Sequence, residues 1–300
     1  MKSRLLFFLT LALALFTSRA QADSQLYGLT RAGQLLSIDK TTGTATSVLT
    51  LPSQYTNFRG FEYAAGNFYA SYNGGRILRF GLNGTVKDLG SSGYPIVNEL
   101  SRSPDGKVYA VVSQNDERSN GVNDGRAESL GQLDLSNGHV SITAAPPNAT
   151  TIGVGPSFRA LVFTDNTNFY TFHIDGGIYE KPWGTLLALT PTSNYFSTGS
   201  LPAGANANWG VLTGLAMDPD DGSIYGVDGW QVSSDLTAYT TISSTLYLVT
   251  YQTPDLPQQP IGSTGYSGII GLAFGPKSLA KMSPAVALCI SGIICPTPTP

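Results

Sequence analysis

The strongest constraint on this chain is that it repeats itself. One pattern is a short apolar strand, a polar residue, a turn ending in Gly or Asn, and a second strand. It reads LLSIDKTTG at 35–43 followed by Thr44-Ala45-Thr46-Ser47-Val48, and LGQLDLSNG at 130–138 followed by His139-Val140-Ser141-Ile142. It recurs as LLALTPTSN at 186–194, degenerately as LYLVTYQTP at 246–254, and one residue shorter from Ile77 to Gly84. The closing Gly or Asn supplies the positive-φ position that a tight hairpin needs. A second pattern precedes the first: small–Leu–x–apolar, a turn, then apolar–Tyr–small. Its clearest copy is Gly214-Leu215-Ala216-Met217, the turn Asp218-Pro219-Asp220-Asp221-Gly222, and Ile224-Tyr225-Gly226. Others are Gly60-Phe61-Glu62-Tyr63 with Phe68-Tyr69-Ala70, Leu100 with Val108-Tyr109-Ala110, and Ala160-Leu161-Val162-Phe163 with Phe169-Tyr170. The flanking segments are of strand length, and Pro-Asp-Gly and Asp-Asp-Gly are turn chemistry.

Each unit is therefore four short strands, A to D in chain order. A lone four-stranded sheet cannot bury both faces, so the units must pack around an axis, which is the blade arrangement of a β-propeller. Leu26-Tyr27-Gly28-Leu29 reads as a B strand with no A strand before it, and 269–276 (IIGLAFGP) as an A strand with no B, C or D after it. These ends predict a clasp in which the last strand completes the first blade and removes an open edge. The expected fold is all-β, a propeller of five four-stranded blades: the clasped one, then 58–90, 97–143, 157–200 and 211–262. A sixth is expected only if an insertion hides a degenerate blade. The C-strand anchors are Ile38, Phe80, Leu133, Leu189 and Val249. Composition agrees: 34 Gly, 15 Tyr and 13 Phe suit a turn-rich β chain.

The ends of the sequence carry other signals. Lys2 and Arg4, the apolar stretch 5–16 and the small-x-small Ala20-Gln21-Ala22 read as a signal peptide over 1–22, so a periplasmic or extracellular location is expected. The propeller domain is expected over 23–278 and a tail over 279–300, with Cys289, Cys295 and a Pro/Thr end. In an oxidising compartment the two Cys could close a small disulfide loop; the alternative is two free thiols. A net charge of −3 gives no nucleic-acid footprint, and no internal apolar run is long enough for a membrane span in the mature chain. Only two His and two Cys argue against a His/Cys zinc cluster, and no phosphate-loop or dinucleotide motif is present, so no metal or cofactor is expected. Asp218, Asp220 and Asp221 could attract calcium, although a plain hairpin turn would use the same residues.

Extra length falls between strands B and C of three successive blades, at about 114–128, 173–184 and 228–243, and these insertions should gather on one face. They bring His173, Asp228 and Trp230 among other charged and aromatic residues. The residues just before the small–Leu motif align as Arg59, Asn98, Arg159, Thr213 and Ile270, with Glu99 in the small residue's place. Two arginines with Asn and Thr at one level could hold a carboxylate or other anion, but the favoured expectation is that the arginines pair with Glu62 or Glu99, or with free carbonyls at strand ends, since buried charges are usually paired. Candidate ligand-binding residues are Arg59, Glu62, Asn98, Glu99, Arg159, His173, Asp228 and Trp230. Neither His139 nor His173 belongs to a recognisable Ser–His–Asp set, and no G-x-S-x-G elbow occurs.

The units, for example LYGLTRAGQLLSIDKTTGTATSV and GLAMDPDDGSIYGVD, resemble the repeats of secreted bacterial β-propellers, the superfamily with lactonase-like, NHL-like and quinoprotein-like members. The resemblance spans 25–277. It implies the blade architecture and no particular activity, because such scaffolds host binders, hydrolases and oxidoreductases alike. The expected function is a binding or interaction module for a protein or carbohydrate on the long-loop face. The alternatives are a lactonase-like or glycosidase-like hydrolase with a channel-mouth site, using Glu62, Glu99, Arg59 and Arg159, and a structural envelope protein.

Overall fold

The computed structural model describes residues 24–113, 128–144, 157–166, 169–175, 183–189, 211–232, 239–249 and 259–277. The segments 1–22 and 279–300, and with them the leader and cysteine expectations, lie outside the described residues. All regular elements among the described residues are strands. The first sheet takes β1 (Ser24–Thr30), β2 (Gln34–Ile38) and β3 (Ala45–Thr50). The second is β4 (Phe61–Ala64), β5 (Asn67–Tyr72), β6 (Arg76–Phe80) and β7 (Val86–Ser91). The third is β8 (Ile96–Arg102), β9 (Val108–Ser113), β10 (Glu128–Leu133) and β11 (Val140–Ala144). The fourth is β12 (Ser157–Phe163), β13 (Phe169–Asp175) and β14 (Trp183–Leu189). The fifth is β15 (Val211–Met217), β16 (Ile224–Val232), β18 (Ser243–Val249) and β19 (Gln259–Ser267), with β17 (Tyr239–Thr241) paired to the end of β16. The last strand, β20 (Ile269–Pro276), belongs to the first sheet, whose order is β20-β1-β2-β3.

One register runs through all five sheets. The five C-strand anchors are the last residues of β2, β6, β10, β14 and β18, and each pairs with the residue before the repeat Tyr: Ile38 with Leu26, Phe80 with Phe68, Leu133 with Val108, Leu189 with Phe169, Val249 with Ile224. A one-residue slip would turn each strand's apolar set to the wrong face, so this repetition is a packing requirement.

Consecutive sheets bury their faces on one another. Tyr27, Leu29 and Leu35 of the first sheet pack with Phe61, Phe68 and Phe80 of the second; Phe68 stacks on Phe61 and on Phe80, both at 5.4 Å between ring centres. Tyr69 and Ile77 pack with Leu100 and Val112 of the third sheet, and Val111 and Leu130 with Leu161 and Phe163 of the fourth. β12 lies against β15, and Val227 and Leu246 of the fifth sheet pack with Leu36 and Leu272 of the first. The innermost strands touch backbone to backbone: a methyl group on Gly214 would fall 2.6 Å from Gly271 Cα, and one on Gly271 would fall 2.7 Å from Phe61 Cβ. That is why the small–Leu motif begins with a small residue.

This is the β-propeller arrangement, with one correction. Four sheets carry the complete four-strand path, not five or six, and the fourth carries three among the described residues. Its outer strand was expected within 190–200, outside those residues. The fifth departs in the other direction, because part of its insertion forms β17.

Candidate functional site

The aligned positions before the small–Leu motif share a backbone irregularity. The β8–β9 ladder pairs Val97 with Val112 and then Glu99 with Val111, passing over Asn98. The β12–β13 ladder pairs Phe158 with His173 and Ala160 with Phe172, passing over Arg159. The β15–β16 ladder pairs Leu212 with Asp228 and Gly214 with Val227, passing over Thr213. In the second sheet the Arg59 N–H donates to Ser71 O while the Ser71 N–H donates to Gly60 O, so two residues again oppose one. These are β-bulges, which bend a strand and re-aim the extra residue. The fifth aligned position, Ile270, is apolar and buried.

Hydrogen bonds tie this level across sheet boundaries. Arg59 Nη1 donates to Asn98 Oδ1 at 2.7 Å, joining the second sheet to the third. Ser71 Oγ accepts from Gly60 N–H and donates to Val97 O, both at 2.8 Å. Thr213 Oγ1 donates to Ile269 O at 2.6 Å, and Ser244 Oγ accepts the Ile269 N–H at 3.1 Å, joining the fifth sheet to the first. Asn98, Ser71, Thr213 and Ser244 are buried and Arg59 is half-buried. Glu99 is also buried, and its Oε1 accepts the Leu100 N–H at 3.2 Å. Ser71 was not singled out by sequence; its signal is a hydroxyl two residues after the repeat Tyr.

Glu62 occupies a different level. It aligns with Ser101, Val162, Ala216 and Ala273, and its carboxylate accepts the Tyr63 N–H at 2.7 Å and the Arg102 N–H at 2.8 Å. It thus bridges β4 and β8. Burial pushes its carboxyl up to about 7, against the pull of the Arg102 charge and the two amides. Arg59 thus meets Asn98, and Glu62 meets the backbone of Tyr63 and Arg102.

His173 and Asp228 hold equivalent register positions, each opposite the residue before a bulge. The Asp228 carboxylate accepts the Thr245 N–H and the Tyr247 hydroxyl, the latter at 2.9 Å. Burial pushes the Asp228 carboxyl up, and burial with the neighbouring carboxylate pushes Tyr247 up to about 12. Asp228 is thereby a fixture of the fifth sheet. Trp230 pairs with Val211 and with Thr241 of β17, nearer the strand ends. All these positions lie at the end of the sheets where the three insertions leave. The insertions' inner parts, 114–127, 176–182 and 233–238, lie outside the described residues.

The opposite end holds the aspartates considered for calcium. Asp218 is fully buried, accepts the Asp220 N–H at 2.9 Å and forms an ion pair with Lys40 from the β2–β3 turn of the first sheet. Lys40 also lies 5.9 Å from the centre of the Phe274 ring. Oxygens so engaged act as a tie between sheets.

No family model matches the chain, and no curated protein matches it. Among solved structures it is similar to a domain described as the extracellular part of a hybrid two component system from B. thetaiotaomicron (TM-score 0.39, 13% identity, 79% of this chain and 26% of that one). It is also similar to a protein of unknown function from Bacteroides caccae (TM-score 0.43, 10% identity, 84% of this chain and 99% of that one). A third is a gluconolactonase from Xanthomonas campestris (TM-score 0.41, 14% identity, 84% of this chain and 76% of that one). This chain spans about a quarter of the length of the first of these.

Proposed function

We propose that the protein is a secreted β-propeller binding module for a carbohydrate or protein ligand, and that its ligand sits at the bulged end of the sheets. Secretion is read from segment 1–22. The five sheets form one ring of blades, with β20 as the clasp. The observation that carries the binding reading is the repetition of bulges: β8, β12 and β15 each set aside one residue at the same register, and Arg59 holds the equivalent position in the second sheet, at the end of the sheets from which the three insertions leave. Loops on a rigid scaffold are a common place for recognition. Of the carboxylates named for a hydrolase, Glu62 accepts two amides and Glu99 Oε1 accepts the Leu100 N–H.

One observation favours a hydrolase as the second reading: a carboxyl titrating near 7, as Glu62 does, suits general acid–base work. Two measurements separate the readings. Glycan and peptide arrays are probed with the native chain and with a variant in which 176–182 and 233–238 are each replaced by Asn-Gly. Lactone and aryl-glycoside hydrolysis is followed for the native chain and Glu62→Gln. The binding reading expects array binding that the loop variant loses, and no turnover. Turnover abolished by Glu62→Gln would replace it with the hydrolase.

A further inference from the structure

We infer that the connection 51–60 and the β5–β6 turn together form a subsite for a neutral sugar, one residue of a carbohydrate ligand, an inference that rests on the binding reading above. The second sheet has no long insertion between its B and C strands, only Asn73, Gly74 and Gly75. The connection from β3 to β4 reaches that turn instead. It is pinned on both sides: Leu51 and Phe58 are buried in the core, and the Leu51 N–H donates to Gly33 O at 2.9 Å. Between them Tyr55 is half-buried, and Thr56 and Asn57 are exposed. Asn73 meets them from the turn. Its N–H donates to Thr56 O at 3.2 Å, and its Oδ1 accepts from the Thr56 hydroxyl at 3.1 Å and from Asn57 Nδ2 at 3.4 Å.

Both amides sit on left-handed backbone, Asn57 at φ 54 and Asn73 at φ 42. Non-Gly residues held in that region gather at ligand clamps. The pair presents complementary groups. Among the described residues the Asn73 NH2 and the Asn57 side-chain oxygen have no partner, so a donor and an acceptor stand side by side. Adjacent hydroxyls of a pyranose offer the matching acceptor and donor. The Tyr55 ring stands edge-on to Tyr72, with centres 5.2 Å apart at 90°, and is thereby fixed as an apolar surface for the C–H groups of a sugar. A rigid Tyr beside adaptable Asn is a combination that recognition surfaces favour. Charge narrows the ligand. Segments 51–58 and 73–75 carry no charged side chain, and Arg76 beyond them is paired with Asp88. Such a site favours a neutral sugar over an acidic one or a charged peptide.

The test is isothermal titration of the full chain with glucose, galactose, mannose, N-acetylglucosamine and glucuronate. At least one neutral sugar is expected to bind, more tightly than glucuronate. Its affinity is expected to fall about tenfold or more in Asn57→Gly and in Asn73→Gly, each of which loses one side-chain hydrogen bond to the sugar. Glycine takes a positive φ without strain, so both variants should keep the native fold, and their melting temperatures check it. Three results would overturn the inference: sugar affinity unchanged in either glycine variant, glucuronate binding more tightly than every neutral sugar, or no neutral sugar binding up to about 50 mM. Array binding of a glycan or peptide that replacement of 176–182 and 233–238 abolishes, and that both glycine variants keep, would also overturn it, and would leave the binding reading standing. Silence in titration and array alike would remove both.

Discussion

The two ends of the sheets are built on opposite rules. At the turn end one device is used repeatedly. Gly43 N–H donates to Asp39 O and Asp39 N–H to Thr44 O; Gly138 and Asp134 do the same with His139, and Gly222 and Asp218 with Ser223. In each turn the Asp side chain also accepts a backbone N–H two residues on. At the bulged end four of the five sheets set aside one residue each, of three kinds: Arg59, Asn98, Arg159 and Thr213. Uniform chemistry at one end preserves register and packing. Varied chemistry on an equally regular backbone is what recognition of a particular ligand requires.

That contrast predicts where substitutions cost stability. Gly43 has φ +79, and an added Cβ would lie 2.5 Å from Gly262 O of the neighbouring sheet. Gly43→Val should therefore cost about 4 kcal/mol in denaturant unfolding, combining a left-handed β-branched residue with a backbone clash. Gly222 has φ +76 with nothing within 4 Å of its added Cβ, and Gly222→Val should cost about 2 kcal/mol, the backbone strain alone. Equal losses would break the claim that these turns also seal sheet boundaries.

Between the two ends, Glu62 makes stability depend on pH. Its folded value is raised from 4.5 to about 7, so the folded state holds its proton where the unfolded chain has lost it. The contribution is whole below pH 4.5 and drains away as pH rises to about 7, on the order of 3 kcal/mol. Unfolding free energies measured from pH 4 to 8 should fall over that interval for the native chain, and the fall should shrink in Glu62→Gln. A smaller effect is expected at the turn end. Asp218→Asn removes the charge facing Lys40, which is itself partly exposed, and should cost about 1 kcal/mol, with no effect on ligand binding. A change in affinity from that substitution would show that the two ends are coupled.

Much of the fold was legible because its constraints are local. Five apolar anchors, five register-equivalent partners and the positive-φ glycines all sit within single repeats. The aligned set Arg59, Asn98, Arg159 and Thr213 was also legible, but not the bulges behind it, because skipping one residue of a ladder leaves no mark in side-chain type. Long-range ties were invisible for a plainer reason. Lys40 and Asp218 are 178 residues apart, and nothing near Asp218 distinguishes a partner for lysine from a calcium ligand or an ordinary turn residue. Glu62 misled in the same way: a carboxylate in an inner strand suggests a channel, whereas its amides come from two adjacent sheets.

The pairing of β20 with β1 also bears on how the chain reaches its fold. Four sheets are built from neighbours in sequence and can zip up as soon as their own residues are available. The first cannot, because one of its four strands lies at the far end of the propeller sequence. Its closure carries the largest loop-entropy cost in the molecule and is the contact most expected to slow folding. Until it forms, β1 offers an unpaired edge, and a partly made chain is most exposed to edge-to-edge association there. A circular permutant with β20 joined directly ahead of β1 would make all five sheets local and would shorten that vulnerable interval without altering one side-chain contact.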